Sequence, residues 1–356
     1  MRQLMYLEPG RCEWSTVEAP TLTEPGQALV RPLTVATCDL DVAVLRSKVP
    51  LFTGPFAFGH ESICEVVEVG DQVRTMAPGD RVVLPFQISC GACSACTQGR
   101  TGNCQTVSGI SMYGIGKFGG GWGGVLTELV LVPYADAMLV ALPAGIDPLA
   151  VPSAVDNLPD AWRTVAPALT ARPAADVLIS AGGAGSVGLY ATGIAAALGA
   201  GSVTYVDNHA ERREVAARLG ATVLDSASAS DLGQFPITVD ASARPEGLAL
   251  ALRATEPDGV CTSVGIYYQP TEVPLFEMYL KGITFHTGRV HARAAIPGVL
   301  DLVATGAFNP ATVTSAVVSW EDAPTALADP PTKLVIARPE LIDDRSAAVA
   351  LPARQP

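Results

Sequence analysis

Four of the eight cysteines in this 356-residue chain fall together, Cys90, Cys93, Cys96 and Cys104, in the spacing C-x2-C-x2-C-x7-C. Four thiolates on a short loop with no competing core pattern can close a tetrahedral site. A zinc held by four sulfurs keeps no open position and is structural. An iron–sulfur cluster and reduced free thiols are the alternatives. Cys12, Cys38, Cys64 and Cys261 are scattered. One of them opens Cys38-Asp39-Leu40-Asp41, and Gly59-His60-Glu61 follows. A Cys thiolate and a His imidazole are two of the three protein ligands of an open, catalytic zinc. Alone, the pair reads equally as a buried cysteine and a turn histidine.

A second chemistry lies between Asp176 and Asp207. A short apolar run, Val177 to Ser180, leads into Gly183-Ala184-Gly185-Ser186-Val187-Gly188, then an Ala-rich segment, then Ser202 to Asp207. The spacing G-x-G-x-x-G between two apolar runs, the second ending in an acid, is the dinucleotide-binding βαβ pattern. Gly183 is expected to permit the turn, Gly185 to let backbone approach a pyrophosphate, and Gly188 to let the helix lie close on the sheet. The N–H groups of Ser186 and Val187, opening a helix expected over 187–198, face the phosphates. Asp207 is placed to accept the ribose hydroxyls of NAD. The 2′-phosphate of NADP would set like charges about 4 Å apart, a cost of about 4 kcal/mol per pair at an effective dielectric of about 20. NAD is therefore expected over NADP, with Arg212 and Arg213 able to offset part of that cost.

The elements that must position these residues fall into two sets. Up to about Val83 the chain reads as short strands with turn punctuation, a small β-rich domain. From Asn157 to Arg289 strands and helices alternate. Six strands are expected, at 177–180, 202–207, 221–225, 237–241, 260–264 and 283–287, in a doubly wound sheet. An amphipathic helix, 211–219, carries Arg212 where a cation can reach the adenosine ribose. Val264 ends a strand on the side where the nicotinamide should lie, and the Arg289 fork suits phosphate oxygens. A helix at 296–305 and a strand at 313–318 follow. Hydrophobic residues make up 49% and charged residues 16% of the chain, which fits globular domains large enough to bury a core each. The formal net charge of −12 argues against nucleic acid or an anionic membrane as a partner. Met1 to Pro20 carries Glu8, Arg11, Glu13 and Glu18 and does not read as a signal segment, so a cytoplasmic protein with reduced thiols is expected. His286 and His291 read as structural, and 343–356 as a loosely held Ala-rich end.

Taken together, Cys38, Gly59-His60-Glu61, the four-cysteine loop and the glycine fingerprint resemble the zinc-dependent medium-chain alcohol dehydrogenase family over nearly the whole chain. The resemblance implies α/β plus β architecture: a GroES-like catalytic domain over 1–156 and 290–356, and a Rossmann domain over 157–289. It implies two zinc ions per chain, and Asp156 as the third catalytic ligand beside Cys38 and His60. It further implies Asp41 as the carboxylate that accepts the imidazole proton of His60, Glu61 as the acid beside the metal, and Phe86 as a wall of the substrate pocket. Tyr113 and Trp122 are further pocket candidates, though an ordinary packed aromatic fits each as well. A homodimer through the last Rossmann strand, or a homotetramer, is implied too. One departure stands out. The family's proton relay uses Ser or Thr two residues after the cysteine ligand and often His three further on. Here those positions are Leu40 and Ala43, which cannot carry a proton. The expected activity is hydride transfer between NAD(H) and an alcohol/carbonyl pair. Reduction of an iminium ion or activated alkene is the alternative, because such reactions do not need that relay. A non-catalytic, NAD-binding redox sensor is a second alternative.

Overall fold

The computed structural model describes residues 1–49, 51–107 and 109–342; the expected Ala-rich end lies outside them. The chain divides into two compact units. The first holds Met1–Asp156, His291–Leu300 and the chain from Thr314 on; the second holds Asn157–Val290 and Asp301–Val313. The return to the first unit is interrupted, because Asp301–Val313 belongs with the second unit.

In the first unit the strands are β1 (Arg2–Glu8), β2 (Arg11–Thr16), β3 (Ala28–Ala36), β4 (Phe56–Ala57), β5 (Glu61–Val69), β6 (Arg81–Leu84), β7 (Val130–Val132) and β8 (Val140–Ala141). In the second they are β9 (Val177–Ala181), β10 (Val203–Val206), β11 (Thr222–Leu224), β12 (Phe235–Ala241), β13 (Thr255–Ser263) and β14 (Thr284–His286). The first unit is completed by β15 (Ala316–Ser319) and β16 (Leu334–Ala337).

The first unit is built on a seven-stranded sheet ordered β15-β16-β3-β5-β6-β8, with β7 added on β3. Its central strand, β3, is buried almost throughout and carries Pro32 beside a register shift against β5. Register decides what meets at one end of this sheet. Ala36 at the end of β3 faces Glu61 at the start of β5, and Val335 of β16 also faces Ala36. Cys38, His60, Glu61 and the residue entering β16, Lys333, therefore converge.

The second unit is a six-stranded, all-parallel sheet ordered β11-β10-β9-β12-β13-β14. All five residues of β9 are buried, as a strand covered on both faces requires. The order reverses between β9 and β12, the switch point at whose carboxyl ends doubly wound sheets bind ligands. The expected helices appear slightly displaced, at Gly185–Ala197, Ala210–Arg218 and Ala292–Ala304. Where a strand is expected at 313–318, the chain first makes a 3₁₀ turn, Pro310–Val313, and only then β15.

Candidate metal and cofactor sites

Cys38 is the N-cap of the Asp39–Leu45 helix. The Asp41 N–H donates to Cys38 Sγ at 3.3 Å and the Cys38 N–H donates to Asp41 Oδ2 at 3.0 Å, a reciprocal capping box with sulfur in the hydroxyl's place. That box turns the other oxygen, Asp41 Oδ1, to within 3.4 Å of His60 Nδ1. On the far side of the imidazole, Nε2 lies 3.4 Å from Asp156 Oδ2. One atom each from Cys38, Asp41 and His60 lies within 4.8 Å of the others, and all three residues are buried. Phe86 sits over the ring at 5.6 Å between centroids.

The donor set fits zinc. Two ligands on a tetrahedral ion at about 2.0–2.1 Å stand about 3.3 Å apart, close to the His60–Asp156 separation. Burial opposes charging of His60, but Asp41, Cys38 and Asp156 outweigh it and hold its pKa well above the ordinary value. Burial pushes the Cys38 thiol up to about 12. A buried sulfur and two carboxylates around one imidazole form a site that a divalent cation neutralises. Asp41 carries the helix cap and stands 3.4 Å from Nδ1, which has no hydrogen-bond partner; Asp156 reaches Nε2 but lies outside the mutual Cys38–Asp41–His60 cluster.

Glu61 is wholly buried. Its Oε2 accepts the Ser153 hydroxyl at 2.9 Å and the Lys333 ammonium at 3.0 Å. Lys333 also donates to the Thr37 carbonyl, next to Cys38. Sequence reading passed over Lys333 and Ser153. The available signal was a lysine opening the apolar run Leu334-Val335-Ile336-Ala337, since a cation entering a buried strand needs a partner. Tyr113 is fully buried, with its hydroxyl donating to the Leu131 carbonyl at 2.9 Å. Trp122 stands against Gly120, where a Cβ would come within 2.8 Å of its indole nitrogen.

The cysteine loop gathers its four sulfurs into one cluster, all as free thiols. Cys93 Sγ and Cys104 Sγ are 3.9 Å apart, near the roughly 3.8 Å edge of a tetrahedron with Zn–S of about 2.3 Å. Backbone N–H groups, Gln105 first and then Cys96, bring the Cys93 thiol down to about 6. Cys12, Cys64 and Cys261 are the opposite case, pushed up to about 12 by burial, and serve as core residues. Among the described residues His286 and His291 join no metal cluster; His291 Nδ1 accepts the Gly102 N–H.

In the second unit the glycine turn follows β9. Gly183 has no left-handed backbone; what it spares is space, since a Cβ there would lie 2.9 Å from Ala243 Cβ and 3.0 Å from the Ser242 carbonyl. Gly188 brings the helix onto the sheet, with a Cβ position 3.3 Å from Ala181 and 3.4 Å from Ala241. The helix starts at Gly185, two residues earlier than expected, and the Ser186 hydroxyl donates to Asn157 Oδ1. Val264 is buried and its N–H donates to the Asp240 carbonyl; Arg289 lies exposed on the same unit.

Asp207 ends β10 as expected but is engaged. Arg212 donates to it twice, from Nε at 2.6 Å and Nη2 at 2.8 Å, and the Tyr205 hydroxyl and His209 N–H fill its other positions at 2.9 Å. Burial pushes this carboxyl up, but the Arg212 fork and the two other donors outweigh it and hold it below the ordinary value. Arg212 is not a solvated helix residue: its side chain is 12% exposed, and a Cβ on Gly185 would meet its Cδ at 2.9 Å.

The family model of the alcohol dehydrogenase GroES-like domain matches residues 24–144, and that of the zinc-binding dehydrogenase matches 186–305. A "probable zinc-binding alcohol dehydrogenase" of Mycobacterium tuberculosis is 30% identical over 316 residues, 87% of this chain and 80% of that protein. An L-threonine 3-dehydrogenase of Aliivibrio salmonicida is 30% identical over 302 residues, 80% of this chain and 82% of that protein. The solved alcohol dehydrogenase TADH from Thermus sp. ATN1 superposes with a TM-score of 0.86 at 28% identity, covering 95% of this chain and 100% of that one. The chain therefore belongs to the zinc-dependent medium-chain dehydrogenase/reductase family, oxidoreductases of alcohol/carbonyl pairs that work with a nicotinamide cofactor.

Proposed function

We propose that this chain is an NAD-dependent zinc alcohol dehydrogenase in which Cys38, His60 and Asp156 hold the catalytic ion and Cys90, Cys93, Cys96 and Cys104 a structural one. The carrying observation is the imidazole of His60, with Asp41 at 3.4 Å on Nδ1 and Asp156 at 3.4 Å on Nε2. Bound there, zinc would supply Lewis acidity, which lowers the pKa of bound water to about 7 and acts on an alcohol in the same sense. Asp41 fixes the imidazole tautomer and raises its basicity. Glu61, charged through Lys333, places a carboxylate behind the ligand set. Leu40 and Ala43 offer no donor or acceptor, so the alcohol proton leaves by Asp39, a water chain or the ribose hydroxyls. The relatives favour this reading over iminium or alkene reduction and over a redox sensor.

NAD is the proposed cofactor, with Asp207 on the adenosine ribose, Gly183, Gly185, Ser186, Val187 and Gly188 at the pyrophosphate, Arg289 as a further phosphate contact and Val264 beside the nicotinamide. Because Arg212 fills Asp207, ribose binding requires that fork to open. A homodimer is proposed through the β14 edge. Support comes from the Leu275–Lys281 helix of the same unit, whose Leu275, Phe276, Tyr279 and Leu280 are 66–78% exposed, since a contiguous apolar patch of that kind marks an interface. Among the described residues no helix is long and apolar enough to cross a membrane.

The test is zinc per chain with an activity screen of alcohols and aldehydes. Two zincs are expected in the native chain. Asp156→Ala should retain one, lose turnover and bind NADH with unchanged affinity; two zincs and full turnover in that variant would sink the ligand assignment.

A further inference from the structure

Gly182 precedes the glycine fingerprint and takes no part in its spacing, yet a Cβ there would lie 2.6 Å from Arg244 Nη2 and 3.1 Å from its Nε. The missing side chain is what lets the Arg244 guanidinium rest on the entry to the turn. Gly182 directly follows β9 and Arg244 stands shortly after β12, so the two meet at the carboxyl ends of the strands that flank the switch point.

The backbone of Arg244 is fixed from within the unit. Asp240 is wholly buried and accepts the Ser242 N–H at 3.0 Å, the Ser263 hydroxyl at 2.6 Å and the Tyr267 hydroxyl at 2.8 Å. Ser242 Oγ in turn accepts the Arg244 N–H at 3.1 Å, and the Arg244 carbonyl accepts the Leu248 N–H at 3.0 Å as the Pro245–Ala254 helix begins. Between them Ala243 holds a φ of 50°, a left-handed conformation that an alanine keeps only where its surroundings enforce it, and such strain gathers at functional sites. The Gly183 N–H donates to the Ser242 carbonyl at 2.7 Å, which ties the glycine turn to the same loop. The far end of the side chain is unlike its root. The guanidinium is on an exposed residue, makes one long hydrogen bond, from Nη2 to the Ala181 carbonyl at 3.5 Å, and forms no ion pair among the described residues. Arg212, which lies on Gly185, is spent on Asp207. Asp240 is satisfied by neutral donors and makes no ion pair with Arg244.

A dinucleotide carries a negative charge on each phosphate, and the N–H groups opening the Gly185–Ala197 helix offer it only partial positive charge. An arginine fork supplies a whole charge and matches phosphate oxygens. Building on the cofactor reading above, we infer that Arg244 contacts the pyrophosphate of the nicotinamide cofactor, admitted to the turn by Gly182 and held there by the loop that Asp240 organises.

The zinc-loaded full chain is titrated with NADH and NADPH by fluorescence and with ADP-ribose by calorimetry. Arg244→Gln should weaken all of them by the same factor, about tenfold, because they share the pyrophosphate and a hydrogen bond to a charged group is worth about that much. Arg244→Lys keeps the charge without the fork and should recover part of the loss. The thermal midpoint of the cofactor-free chain should not move. Unchanged affinities in Arg244→Gln would overturn this assignment and leave the cofactor reading standing, whereas a native chain that binds none of the ligands would overturn both. A loss confined to NADPH would place Arg244 at the 2′-phosphate. A loss that Arg244→Lys does not recover, with a lowered midpoint, would make the residue structural. Either result removes the pyrophosphate contact.

Discussion

The Nζ of Lys333 and the Oε2 of Glu61 lie 3.0 Å apart with both side chains wholly buried, 272 residues apart in sequence. The pair joins the entry of β16 to the start of β5, immediately behind His60. Neither group is tolerable there without the other, because removing one partner of a buried pair strands a charge in low dielectric.

Lys333→Met should therefore destabilise the first unit by about 3–5 kcal/mol, read from urea unfolding of the zinc-loaded protein. The double variant with Glu61→Gln should recover much of that loss, since it removes the stranded carboxylate. A loss under about 1 kcal/mol in the single variant would show that Thr37 and Ser153, not the ion pair, hold this corner.

The proposed preference for NAD rests on Asp207 and the Arg212 fork that engages it. Asp207→Asn should weaken NADH binding and strengthen NADPH binding, shifting the affinity ratio by about tenfold or more, because it removes a charge from beside a 2′-phosphate and loosens the arginine fork. Cofactor fluorescence titration measures this directly. An unchanged ratio would place the ribose elsewhere.

The same carboxylate has a pH signature. Its folded pKa lies below the ordinary value of 3.8, so its stabilising contribution is fully present above an unfolded value of about 3.9 and is lost as pH falls through the lower, folded value. Cofactor affinity should show no Asp207 inflection between pH 5 and 9. The acid limb of the stability curve below about pH 4 should be shallower in Asp207→Asn than in the native chain.

Leu40→Thr should restore a hydroxyl on the first turn of the Asp39–Leu45 helix, two residues from Cys38. Where proton removal limits alcohol oxidation, kcat should rise by about tenfold, less than the roughly hundredfold or more that a fully positioned proton-transfer group contributes. The assay is NADH formation at saturating alcohol. An unchanged kcat would mean that the proton already leaves by a faster route.

Cys96→Ser should lower zinc content by one ion per chain and lower the thermal midpoint, while leaving NADH affinity intact. Metal-bound thiolates couple zinc binding to local folding. Retention of both zincs would remove Cys96 from the ligand set.

What the sequence determined by itself is local. The cysteine spacing, Cys38 three residues before Asp41, Gly59-His60-Glu61 and the glycine run ending at Asp207 are contiguous or nearly so, and short chain segments admit few geometries. The six strands of the second unit were legible for a related reason: buried parallel strands read as apolar runs, and their order follows from doubly wound connectivity. Tertiary structure decided whatever depends on register across a sheet or on packing of distant segments. The pairing of Ala36 with both Glu61 and Val335 brought Lys333 to Glu61, and no spacing rule reaches across 272 residues. Helix rotation laid Arg212 onto Asp207, and core packing buried Tyr113 with its hydroxyl on the Leu131 carbonyl. Each of these turns on which side of an element a residue faces, and that is set by the whole fold.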